Sequence, residues 1–217
     1  MALRATWWLL AILVCGIAAN ALIQAFLPTS RGDLVLGMLA YSSVGSLLHF
    51  LAGATVILAG ILQFNQTLRK RHLHWHRQIG RVYVFGVALG GVAGLYMAFN
   101  ASGGLVARVG FAMLALCWLF ATGRAFLEIR AGNVAAHRAW MMRSYALTLA
   151  ALTLRLYIPL FLIAGVSFEA AYPVIAWLCW VPNILLVEWL LLAAAAVSGS
   201  TFQRRNWLLL PRRSTTS

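Results

Sequence analysis

Acidic residues are nearly missing from this chain. Aspartate and glutamate together number four in 217 residues, against 17 lysines and arginines. With so few carboxylates, acid-coupled transport and paired-carboxylate catalysis lack their usual groups. Cysteine is scarce as well. Cys15, Cys117 and Cys179 each sit inside an apolar run, with no CxxC and no loop pair suited to a disulfide. They read as small apolar fillers. No serine or cysteine stands beside a base and an orienting acid in a recognisable motif, which argues against a hydrolase. Internal inverted repeats are also absent, which weighs against a secondary transporter.

What the chain has in abundance is apolar residue. They make up 63% of the sequence, and only 10% is charged. A soluble domain of this size cannot bury that much apolar surface. The expected fold is all-α: one polytopic membrane helix bundle over 1–217, with about six spans and a basic tail at 198–217. The lipid bilayer is then its first partner. The net charge of +13 does not point to nucleic acid, because the cations cluster between apolar runs and form no readout face.

The expected spans cover 6–27, 43–64, 81–99, 107–127, 139–164 and 174–197. Ala19-Asn20-Ala21 fits a signal-peptide cleavage site. The apolar run continues past it to position 27, however, so a retained first span is favoured. A lipoprotein reading at Cys15 fails on the bulk of Val14. Arg69, Lys70, Arg71, Arg77, Arg81, Arg124, Arg130, Arg138, Arg204, Arg205, Arg212 and Arg213 fall on one side with Arg4. Arg31 and Arg108 alone mark the other. By the positive-inside rule both termini are expected in the cytoplasm of a bacterium, with the protein in its inner (plasma) membrane. The segment 67–81 reads as a cationic loop, and 207–210 as a short stretch suited to the interface.

Several spans break the apolar rule on one face. In the fifth, His137, Met141, Ser144, Thr148, Ala151 and Arg155 follow at steps of three and four. His137 and Arg155 lie roughly 27 Å apart at 1.5 Å per residue, about the depth of the hydrocarbon core. In the second span His49, Gly53, Val56, Gly60 and Gln63 share a face. In the third, His76, Gly80, Tyr83, Val87, Gly90 and Gly94 do so, and Gly86, Gly90 and Gly94 offer a close helix approach. Spans two, three and five are therefore expected around a common interior. One polar cluster should gather His49 and Arg155 near the outer side. A second should gather His76, Tyr83, His137 and Arg143 near the inner side. Arg155 carries five N–H donors inside hydrocarbon, and His49 can accept only one. Glu188 is expected to pair with Arg143 or Arg124, and Pro182-Asn183 to kink the sixth helix. His72, His74 and His76 alternate along the chain, do not converge on one helix face, and stand next to Arg69 to Arg71, so no metal site is expected there.

The ordered set His49, His76-Arg77, Gly80-Arg81, Tyr83, Gly110-Phe111, Trp118, His137-Arg138, Trp140-Met141, Arg143-Ser144, Thr153 and Arg155 resembles the domain-of-unknown-function 2306 family of bacterial multi-pass membrane proteins. The resemblance covers about 49–159 as a four-helix core, with the first and sixth spans outside it. It implies location and fold, and assigns no activity.

Three functions fit these residues. The first is a membrane redox protein that binds haem b, a quinone or another lipid-soluble ligand between spans two, three and five. His76 and His137 would be the axial pair, and a redox partner or a homo-oligomer is allowed for. The second is a carrier of a small solute. The third is a non-catalytic assembly subunit.

Overall fold

The computed structural model describes residues 2–208, and the side chains of 6–196. Among the described residues every regular element is helical. The order is α1 (Ala2–Phe26), a 3-10 turn (Pro28–Ser30), α2 (Asp33–Tyr41), α3 (Ser43–Gln63), α4 (Gln66–Arg71) and α5 (Leu73–Ala98). There follow α6 (Gly104–Arg130), α7 (Val134–Thr148), α8 (Ala150–Ile163), α9 (Phe168–Leu178) and α10 (Val181–Leu208). Six stretches are long and apolar enough to cross a membrane, as expected. Apolar runs of this length cross hydrocarbon as helices, which satisfy every backbone group within the segment. The interfacial stretch expected at 207–210 lies outside the residues whose side chains are described.

Two boundaries differ from the sequence expectation. The segment 67–81 is not a loop: it forms most of α4 and the first turns of α5. Asn65 starts this region by accepting hydrogen bonds from Thr67 N and Leu68 N. The third span thus begins at Leu73, and His74 and His76 ride on it. The stretch 128–138, expected from the sequence as a second cationic loop, likewise shrinks to a turn. Gly132, at φ 79°, ends α6 with a hydrogen bond from Asn133 N to Glu128 O, and Asn133 then caps α7.

α3 packs along α5 through small residues, and it also touches α1 and α7. α6 sits between α5 and α7, and α9 covers the far part of α6. The stripe Val14, Ala18, Ala21 and Ala25 turns α1 inward. Arg31 closes the end of α1, its guanidinium donating to Gln24 O and Ala25 O. That contact explains one of the few cations on this side of the bundle.

Spans five and six are both broken at mid-length. α7 gives way to α8 at Leu149, where no proline stands. Thr148 and Thr153 instead bond back to carbonyls of their own helix, which bends helices. α9 gives way to α10 just ahead of Pro182, whose ring cannot continue the ladder. The two breaks satisfy each other. Thr153 Oγ1 donates to Cys179 O, while Asn183 Nδ2 reaches Cys179 O at 3.0 Å and Ala146 O at 3.3 Å.

Candidate functional site

The deepest polar group in the bundle is a knot of hydroxyls. Tyr83 is fully buried, and its Oη lies 2.8 Å from Ser144 Oγ and 2.9 Å from Thr148 Oγ1. Trp118 Nε1 donates to Thr148 Oγ1 at 2.9 Å. Thr122 Oγ1 lies 2.6 Å from Ser144 Oγ and donates to Trp118 O. Thr148 also donates to Ser144 O. One N–H and four O–H protons serve six close contacts, so every proton is used and one contact is shared. No donor or acceptor is left aimed at a ligand. The knot fastens α5 to α6 and α7, and Tyr83 belongs to it. Trp118 and Thr122 were not read as site residues, though both are polar at i and i+4 in an otherwise apolar helix.

His76 and His137 stand at the basic end, near the starts of α5 and α7. His137 Nδ1 lies 2.8 Å from Ala125 O and must carry the proton, because a carbonyl only accepts. Its Nε2 is therefore the free lone pair. His76 Nδ1 is buried with no partner among the described atoms, although Gln63 Nε2 donates to the His76 backbone oxygen.

Arg143 does not join these histidines. It turns to α10 and grips Glu188 with two bonds, Nε to Oε1 at 2.5 Å and Nη2 to Oε2 at 2.9 Å, while lying over Trp140. Adjacent residues on a helix point about 100° apart, so Arg143 and Ser144 cannot face the same neighbour. The inner four thus do not gather: two histidines stay at the basic end, Tyr83 goes to the knot and Arg143 to Glu188. Arg124, the other partner considered for Glu188, bonds Glu128 instead.

His49 and Arg155 do meet. They share a cavity of about 50 Å³ with Ile17, Ala21, Phe50, Gly53, Ala54, Ile57 and Ala151. Its walls come from α1, α3 and α8, so the first span takes the place expected for the third. α5 still shapes the site from behind: His49 Nδ1 donates to Gly90 O at 3.0 Å, and the ring rests on Gly94, where an added Cβ would lie 3.1 Å away. This leaves His49 Nε2 as an acceptor. Arg155 donates to Ala151 O at 2.9 Å and to Asn20 Oδ1 at 3.3 Å. Asn20 escaped the sequence reading, having been counted as part of a cleavage site. Counted from their helix ends, Asn20 and His49 lie about 9 Å deep and Arg155 about 12 Å.

A base, a cation and a small cavity are compatible with holding a polar head group inside a membrane. Among the described residues, no group of three His, Cys, Asp or Glu could hold a metal ion.

The fold and this buried polar machinery define a multi-pass membrane helix bundle. The chain belongs to the DUF2306 family, described as "Predicted membrane protein", whose model matches residues 46–191. The match reaches through most of the sixth span, beyond the 49–159 read from the motifs, and so takes in Asn183 and Glu188. No curated protein and no solved structure matches the chain.

Proposed function

We propose that this protein binds a carbonyl-bearing, lipid-soluble ligand of the quinone class, with His49 and Arg155 holding its polar head. The observation that carries the reading is the cavity these two residues share. Arg155 has N–H donors beyond the two in use, and His49 offers a neutral Nε2. A ring carbonyl accepts from the guanidinium, and a ring hydroxyl donates to the imidazole. The pair therefore suits both the oxidised and the reduced head. About 50 Å³ takes a head atom rather than a whole ring. A Cβ built on Gly53 meets nothing within 4 Å, so space continues past that residue for the ring.

The test is a titration of the detergent-purified protein with a short-chain ubiquinone analogue, read by quenching of its nine tryptophans. Arg155→Leu and His49→Ala should each weaken binding about tenfold or more, the worth of a charge-assisted hydrogen bond away from water. Arg108→Gln, exposed near the start of α6, should leave it unchanged. Equal affinity in wild type and Arg155→Leu would remove the proposal.

A second reading, haem b between His76 and His137, is favoured by the free Nε2 of His137 and the buried, unpartnered Nδ1 of His76. A reduced-minus-oxidised spectrum of the same preparation decides it. A Soret band lost in His137→Ala would establish haem there.

A further inference from the structure

We infer that the lipid-facing groove between α3 and α5 is a binding site for one anionic phospholipid, its acyl chain in the groove and its phosphate on Arg81. The groove encloses about 440 Å³ and is lined by the last two turns of α3 and the first turns of α5. That volume falls in the roughly 300–1,000 Å³ range of ligand pockets. Leu58, Leu62, Ile79 and Val82 make its walls almost wholly apolar. Leu62 and Val82 are exposed in the bare protein, so the groove opens toward lipid.

Its basic end is different in kind. Gln78 lines the groove there, and Arg81 Nη1 donates to Gln78 Oε1 at 3.3 Å, which brings the guanidinium to the rim. Trp75, another lining residue, is exposed at the depth where amphipathic rings suit the interface. Arg69, Lys70, Arg71 and Arg77 surround this end in sequence and on α4 and α5. An apolar slot that ends in cations and an interfacial indole complements a molecule with an acyl chain and a negative head. A zwitterionic lipid carries the same phosphate, but its ammonium group is repelled by the cations that surround this end. With the orientation read from the cationic loops, this rim lies in the leaflet where anionic lipids attract basic segments. The site is separate from the His49–Arg155 cavity and does not depend on it.

The experiment compares lipids retained on the full chain by native mass spectrometry, after exchange into detergent containing phosphatidylglycerol or phosphatidylcholine. The wild type should hold one phosphatidylglycerol in preference to phosphatidylcholine. Arg81→Gln should bind it about fivefold more weakly, the worth of a single basic residue at a charged membrane surface. Thr55→Trp should exclude it by filling the groove. Thr55 lines the slot, is exposed, and spends its hydroxyl on its own helix, so the change leaves the core alone. Arg130→Gln, also exposed and at the basic end, should retain full binding. The inference is overturned if phosphatidylcholine is held equally, if Arg130→Gln weakens binding as much as Arg81→Gln, or if folded Thr55→Trp still retains the lipid. Circular dichroism checks the fold, and Val82→Trp replaces Thr55→Trp if the latter does not fold.

Discussion

Two glycines on α3 carry opposite demands, although one face of the helix holds both. A Cβ on Gly60 would be driven inside contact distance of the Tyr145 ring, which is fixed by its hydroxyl on Ile57 O. A Cβ on Gly53 would enter open space beside His49 and Arg155. Gly60→Ala should therefore destabilise the protein by about 1–3 kcal/mol, the cost of overpacking, seen as a lower Tm in detergent. Gly53→Val should keep the wild-type Tm and lose affinity for the quinone analogue. The reverse pattern would show that the cavity is not where the ligand head sits. Gly90 and Gly94 were legible in the sequence as a surface for close packing. What they receive, Ala52 on Gly90 and the His49 ring on Gly94, was not: spacing gives a residue's face on its own helix, and says nothing of the side chain that comes down upon it.

Breaks in paired helices are expensive in lipid, because each freed carbonyl costs several kcal/mol unless it finds a donor. Spans five and six meet that cost with each other's side chains. Asn183 serves Ala146 O, Cys179 O and Thr153 Oγ1 together. Asn183→Leu is isosteric in outline and removes all three bonds. It should cost about 1–3 kcal/mol, measured as a fall in Tm. Thr153→Val should cost a similar amount. Because the two residues share Cys179 O, the double variant should lose less than the sum of the single losses. An additive result would mean that the breaks are stabilised independently. The sequence showed one of these breaks through Pro182. The other, at Leu149, follows from two threonines whose back-bonding has no distinctive spacing.

Across the whole bundle, the cationic segments α4, the α6–α7 turn and the start of α5 lie at one end. If all six stretches cross the bilayer, residues 2 and 208 fall on that same side, an expectation that labelling tests. A single cysteine at Lys70, in a variant with Cys15, Cys117 and Cys179 replaced by alanine, should react with a membrane-impermeant maleimide only in inverted vesicles. One at Ser102, in the opposite turn, should react only from the outer face, in right-side-out vesicles. Labelling of both from one side would refute the six-span topology.

Length and hydropathy were enough to establish a multi-pass helical protein, because hydrocarbon admits no other backbone arrangement for such runs. The spacing of polar residues also marked the faces that matter, and the ordered motifs marked the family. Which faces meet came from packing. In a soluble protein the apolar stripe points to the core, but in lipid the outside of a helix is as apolar as its inside. Sequence pattern therefore could not separate a wall that faces lipid from one that faces another span. The fold alone seated α1 beside His49 and Arg155, sent Tyr83 to Trp118 and Ser144, and turned Arg143 away to Glu188.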